Sequence, residues 1–340
     1  MLRVEDYEDL RWLAELAVCK GWSASHRAHP STDPDEVDQT YRLVRWTTRY
    51  LAKLWKPVFQ RRAASLRISG VFCHKTPLAT FDDGNGEQQT CELGDLLVVH
   101  DHLGRAPYRR ATLMQAKRTL GGAAKATDAV QNDLYRRRPL FKLSRRGYKR
   151  TRFKEGDRDI GDAADFARFA LVADDATSCF WIDDDYWLLR HPAIRSWRPA
   201  WAVAHPAQDP VTSIGAESFG SFVTGMLYET HPARGQTVAP VPNLASTSLG
   251  EGKDLDITVQ ELLDLTGKRV AKSQEKWSGL PRGIVAFTHG SIPVQNPGNP
   301  LAFLRRASGA GEEPPRPVSE AEEEDDGEGI PILLIETFGD

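Results

Sequence analysis

The sequence predicts an α/β fold. Short apolar runs of strand length recur through the first half: Leu66–Phe72, Leu96–Val99, Thr112–Lys117 and Phe166–Ala173. Two other stretches carry apolar residues three and four apart, the period of one helix face. The order along the chain is helix, three strands, helix, strand.

Each element has its own signal. Residues 5–20 repeat Tyr7, Leu10, Leu13, Leu16 and Ala17 at helical spacing, and residues 23–33, rich in Ser, His and Pro, form a loop. Asp33-Pro34-Asp35-Glu36 starts the next helix, with Asp33 as N-cap, Pro34 at the first helical position and Glu36 at the third. That helix spans about 35–64 and carries Val37, Tyr41, Val44, Leu51, Leu54 and Trp55, with Pro57 as the place where it kinks or divides. A strand near 66–74 follows. Thr76–Cys91 reads as a hairpin-like connection because Asp83-Gly84 and Asn85-Gly86 are turn pairs; it has too few ligand positions for a calcium loop. A helix near 124–137, a polar link over 155–165 and a strand over 166–173 complete this half.

The second half is less regular. Phe180-Trp181-Ile182 and Tyr186–Leu189 flank Asp183-Asp184-Asp185 as a hairpin with a solvated acidic turn. Helices are expected near 216–228 and 256–277, and a strand at 283–287. Residues 309–329 hold nine acids and one Arg among Pro and Gly, the composition of a flexible segment. Ile330–Ile335 is too apolar to leave in water, so a terminal strand should pack on the body or on a partner chain. The expected division is therefore 1–175, 176–308, 309–329 and 330–340.

Bulk properties exclude several classes. The 340 residues are 40% hydrophobic and 27% charged, as in ordinary globular proteins. No apolar run reaches the ~18–20 residues of a membrane helix. The first residues lack the basic-then-apolar pattern of a signal peptide. Cys19, Cys73, Cys91 and Cys179 are far apart, which argues against a disulfide framework or zinc knuckle and suits a cytoplasmic protein. His191, His205, His231 and His289 show no ligand spacing.

Charge is unevenly placed. The net charge is −3, yet Arg105–Lys154 holds 16 Lys or Arg against two acids, Asp128 and Asp133. Tyr108, Tyr135, Phe141 and Tyr148 are interleaved, available to pack or to stack on bases. Such a stretch suits a polyanion, with phosphate contact rather than base readout. Arg118, Lys125, Arg136, Arg137, Arg138, Arg145 and Arg146 are the candidates for that contact.

The chemistry concentrates at Asp95 and at Gln115-Ala116-Lys117. Asp95 leads the apolar strand Leu96–Val99, where a carboxylate is costly unless it is paired or bound to metal. Gln115 and Lys117 are two apart and share a face of the next strand. An acid, an amide and an ammonium on one sheet face suit metal-assisted phosphodiester hydrolysis, with the cation activating water and the Lys assisting. A plain Asp95–Lys117 ion pair is the alternative. Glu36 is either the capping partner of Asp33 or a further carboxylate of the site. Glu92, an odd offset from Asp95, would join it only through a bulge. Gln131 and Tyr135, four apart, share a helix face.

These segments resemble the core of the PD-(D/E)xK nuclease superfamily in its Gln-x-Lys variant, as in Mrr-like restriction enzymes. Gln131 and Tyr135 resemble the Gln-x-x-x-Tyr motif of its RecB-type members. The resemblance covers roughly residues 35–175. Gly94 stands where many members have Pro, and Gln115 where most have Asp or Glu.

The resemblance implies a restriction-endonuclease-like core, αβββαβ with a mixed central sheet flanked by helices, here with an α+β C-terminal extension. It implies a Mg²⁺- or Mn²⁺-dependent deoxyribonuclease, an endonuclease in restriction or anti-phage defence. Asp95, Gln115 and the Ala116 backbone carbonyl would hold the metal, with Glu36 or Glu92 as a further ligand. Lys117 would orient or activate water, and Gln131 and Tyr135 would support the site. The partner is DNA, with a regulatory protein or a second copy of the chain as further expectations. The alternatives are a nuclease-fold module that binds nucleic acid without cutting, and a subunit of a larger assembly.

Overall fold

The computed structural model describes residues 2–28, 35–73, 77–119, 123–124, 128–143, 156–161, 163, 165–173, 201–206, 211–212, 216–230, 233–239, 254–273, 285–290 and 329–339. Helices α1 (Asp6–Ala28), α2 (Glu36–Arg42) and α3 (Thr48–Arg61) precede strand β1 (Ser65–Phe72). Then come β2 (Leu78–Asp82), β3 (Gln88–Glu92), β4 (Leu96–His102), β5 (Tyr108–Thr119) and a short β6 (Ala123–Ala124). Helix α4 (Ala129–Arg137), β7 (Phe141–Leu143) and β8 (Ala167–Ala173) follow. The remainder supplies β9 (Trp201–Ala204), β10 (Val211–Thr212), β11 (Glu217–Ser218), α5 (Phe219–Gly225), β12 (Gln236–Val238), α6 (Asp254–Ser273), β13 (Val285–Gly290) and β14 (Ile332–Phe338).

The expected α/β class holds: a mixed central sheet is flanked by helices. Its order is β11-β9-β8-β5-β4-β14-β1-β13, and β12 lies beside β5. Strand β5 is antiparallel to β4 and parallel to β8. The terminal strand β14 sits inside the sheet, parallel to β4 and antiparallel to β1. The first and second strands of the expected core are thus separated by the last strand of the chain, and the sheet draws on both halves of the sequence.

Both sheet faces are covered, which explains why the central strands read as continuous apolar runs. One face takes α1, α3 and α5: Leu10, Ala14, Leu51, Trp55, Phe59 and Phe222 pack against Leu96, Val98, Met114 and Ala170. On the other, Leu97, Val99, Leu113 and Phe169 pack with Tyr135 of α4, with Leu262 of α6 and with Phe81 of β2. Strands β3, β2 and β7 form a small separate sheet on that side.

Three expected boundaries move. The helix expected over 35–64 is interrupted by a π-helical turn at Leu43–Thr47 and not at Pro57. Helix α3 carries Pro57 on its exposed side, and Lys53, whose carbonyl loses its helical partner to the proline, is an exposed residue as well. The π turn lies where the helix presses on β1: a Cβ on Gly70 would come within 2.7 Å of Val44 Cγ1 and 2.9 Å of the Val44 carbonyl oxygen. Only glycine permits that approach. Helix α2 is capped by Asp35, which accepts from Asp38 N at 2.7 Å, and not by Asp33; Asp33 and Pro34 lie outside the described residues. Helix α4 begins at Ala129 and not near 124, because Asp128 caps it by accepting from Val130 N and Gln131 N. The expected hairpin at 180–189 and the acidic stretch up to 328 also lie outside the described residues.

Candidate active site

Asp95 immediately precedes β4, and its backbone N–H donates to the Met114 carbonyl at 2.8 Å. That places it opposite Gln115, one step beyond the Leu96–Met114 pair of the ladder. Alternation along β5 then sends Gln115 and Lys117 to the face covered by α4. The sequence expectation that Asp95, Gln115 and Lys117 converge is met.

The contacts form one chain of hydrogen bonds. Asp95 Oδ2 accepts from the Ala116 backbone N–H at 2.8 Å and from Gln115 Nε2. Gln115 Oε1 accepts from Gln131 Nε2 at 2.6 Å. Gln131 Oε1 accepts from Lys117 Nζ at 3.0 Å. Asp95 is half-buried, while Gln115, Lys117 and Gln131 are buried. Burial pushes the Asp95 carboxyl up to about 7. The Ala116 N–H and the Lys117 ammonium pull against that rise, and Glu92 and Glu36 add to it.

Glu36 is part of the same constellation. Freed from capping by the position of Asp35, it accepts from Arg118 N at 3.1 Å and lies 3.9 Å from Lys117 Nζ. The ion pair of Lys117 is therefore with Glu36, not the Asp95 pair that was the alternative reading. Glu92 does not share a strand with Asp95: it ends β3, exposed, and its backbone carbonyl accepts from Gln131 Nε2 at 3.4 Å. Its side chain reaches Asp95 through its field rather than through a bulge.

Tyr135 fixes α4 over the site. Its hydroxyl donates to the Leu93 carbonyl at 2.9 Å, and its ring stacks on Phe169 with centroids 5.4 Å apart. Burial holds its hydroxyl well above the usual tyrosine range. The same side chain accounts for Gly94, since a Cβ there would meet the Tyr135 hydroxyl at 2.7 Å and Leu113 Cδ1 at 2.8 Å. Sequence reasoning gave Gln131 and Tyr135 a supporting role. Their bonds to the backbone of Glu92 and Leu93 had no sequence signal, because nothing in the spacing ties α4 to the end of β3.

The basic residues divide. Arg136 is exposed on α4, and Arg137 pairs with Asp133 and donates to the Asp82 carbonyl at 3.1 Å. Arg138 is the left-handed C-cap of α4. Alternation turns the Arg118 side chain to the face opposite Lys117, away from the site. Lys125, Arg145 and Arg146 lie outside the described residues. Of the interleaved aromatics, Tyr108, Tyr135 and Phe141 are packed: Tyr108 donates to the Leu227 carbonyl, and Tyr135 and Phe141 are buried in the core.

As arranged, these residues do not fit a divalent cation between Asp95 and Gln115. Among the described residues no three His, Cys, Asp or Glu side chains converge as a cation site. Gln115 presents its amide nitrogen to Asp95, and the Ala116 N–H occupies the same carboxylate oxygen. A hard cation needs oxygen at both places.

Compared with protein-family models, with curated proteins and with solved structures, the chain matches none. Among the described residues no helix is long and apolar enough to cross a membrane.

Proposed function

We propose that this chain is a nuclease of the PD-(D/E)xK type that hydrolyses phosphodiester bonds in DNA, in a restriction or anti-phage setting. The observation that carries the reading is the contiguous set Asp95–Gln115–Gln131–Lys117–Glu36, gathered at the start of β4, on β5 and at the ends of α2 and α4. An ammonium held by a side-chain amide and a nearby carboxylate is placed to take a phosphate oxygen. Asp95, with its raised carboxyl, is the companion group that titrates near neutrality, as functional carboxyls do. The exposed Arg136 on α4 and the basic run around it suit a polyanionic strand. The reading carries Mg²⁺ or Mn²⁺ as its cofactor, and the Gln115 amide must turn over before the site accepts one.

A second reading is favoured by that same amide. A nuclease fold whose Gln115 nitrogen faces Asp95 can hold DNA without cutting it. Cleavage of plasmid and linear DNA in Mg²⁺ or Mn²⁺, wild type against Lys117→Ala, separates the two. Metal-dependent cutting that falls by about 10²-fold or more in the variant supports the nuclease. Salt-sensitive DNA binding without cutting, unchanged by chelator, supports the binding module.

A further inference from the structure

We propose that Gln131 is a positioning residue that locks the Gln115 amide with its nitrogen toward Asp95 and so keeps divalent cations out of the resting site. The proposal takes from the nuclease reading the identity of the cation and of the substrate oxygen that would open the lock. Lys117 Nζ has donors and no acceptor, so Gln131 must offer it Oε1, at 3.0 Å. The other arm of that planar amide is then Nε2. Both of its neighbours are acceptors: Gln115 Oε1 at 2.6 Å and the Glu92 backbone carbonyl at 3.4 Å. The carbonyl cannot be turned into a donor, so two independent partners fix the same orientation. Gln115, having spent its oxygen on Gln131, is left with Nε2 for Asp95 Oδ2, the oxygen that already accepts from the Ala116 N–H.

Direction is therefore imposed at both ends. Reversing the Gln131 amide sets nitrogen against the ammonium, and reversing Gln115 alone sets oxygen against Asp95 and nitrogen against Gln131 Nε2. Gln115, Gln131 and Lys117 are 2%, 5% and 6% exposed, so bulk water does not replace a broken link. Opening the lock requires another acceptor for Lys117, and a phosphodiester oxygen is the acceptor a nuclease substrate supplies.

Two substitutions test this through cation affinity rather than cleavage. Gln131→Glu accepts on both arms, so Gln115 must donate to it and turn Oε1 toward Asp95. Gln131→Met removes the lock and adds no charge. Free Mn²⁺ is measured by electron paramagnetic resonance during titration of each folded protein. Gln131→Glu should bind at least about tenfold tighter than wild type, about 1.4 kcal/mol, and Gln131→Met about threefold tighter. A folded Gln131→Met that binds no tighter than wild type overturns the lock, since a gain in Gln131→Glu is then its charge alone. If Gln131→Met does not fold, the wild type decides. The Gln115 side-chain NH₂ should resist exchange with solvent in ¹⁵N spectra, and a freely exchanging Gln115 NH₂ overturns the proposal. A protein that behaves as expected toward Mn²⁺ yet never cuts DNA removes the nuclease reading and leaves the lock intact.

Discussion

The Arg67 guanidinium meets the Glu336 carboxylate across β1 and β14, although the two lie 269 positions apart in the chain. The pair continues across the sheet: Glu336 is in register with Asp101 of β4, and Asp101 with Arg109 of β5. Arg109 pairs with Asp101 and donates to Gln260 of α6 at 2.9 Å. A buried row of two cations and two anions thus ties the last strand to the core, at the end of β4 opposite Asp95. Its members compensate one another, which is what makes their burial tolerable.

Removing one member leaves an uncompensated buried charge. Glu336→Ala should therefore cost about 3–5 kcal/mol, read as a lower urea midpoint. Glu336→Ala with Arg67→Met should recover part of that loss, because the orphaned guanidinium is gone. A chain ending at residue 328 lacks a central strand and should not give a cooperative unfolding transition. Cooperative unfolding of the truncated chain would show that β14 is dispensable.

Gly94 and Tyr135 are coupled by contact. Gly94→Ala forces a methyl against the Tyr135 hydroxyl and Leu113, and overpacking of that kind costs about 1–3 kcal/mol. Tyr135→Phe loses the bond to the Leu93 carbonyl, worth about 1–3 kcal/mol when the acceptor is left buried. The double variant should cost less than the sum, since one change removes the atom that the other strikes. Additive losses in denaturant titrations would mean that the strand entry adjusts without Tyr135.

What the sequence made legible is what short-range periodicity encodes. The two-residue spacing of Gln115 and Lys117, and the acid leading Leu96–Val99, put the three side chains on one face, as they are. The Gln131–Tyr135 spacing put both on the face of α4 that meets them. Three features were not legible. Asp33 and Asp35 are two equally suitable caps two residues apart, and choosing the wrong one ties Glu36 to the helix end instead of the site. The place of β14 depends on long-range pairing, for which an apolar run carries no address. The orientation of the Gln115 amide depends on Gln131 and Lys117 together, and residue identity alone does not encode it.

Stability should fall with rising pH because of Glu15. Its carboxyl is buried on α1, accepting from Ser221 N at 2.9 Å and from the Ser218 hydroxyl, and burial pushes it up to about 8. The Ser221 bond and Arg11 oppose that rise, and Glu217 adds to it. An acid raised in the folded state holds its proton there after the unfolded chain has released it. No penalty exists below about pH 4.3, the ordinary glutamate value. The penalty grows as pH climbs toward about 8 and is complete above it. Glu15→Gln keeps an acceptor for Ser221 and cannot ionise, so it should flatten the decline. Urea midpoints of the two proteins should approach each other at pH 5 and separate, with the variant higher, at pH 8. Parallel curves would mean that Glu15 is ionised in the fold.

Arg136 and Arg137 are adjacent on α4 and should differ in their effect on DNA binding. Arg137 is engaged by Asp133 and the Asp82 carbonyl, so reaching a phosphate means giving up those partners. Arg136 is exposed on the basic helix end. If DNA runs along this end of α4, Arg136→Ala removes one phosphate contact. It should weaken binding across all sequences and reduce the slope of log affinity against log salt by about 1. Arg137→Ala should change that slope less and lower stability by no more than about 0.5 kcal/mol, the usual worth of an exposed helical ion pair. Fluorescence anisotropy with a labelled duplex between low and moderate salt reads both. Equal slopes for Arg136→Ala and wild type would place the DNA path away from this end of α4.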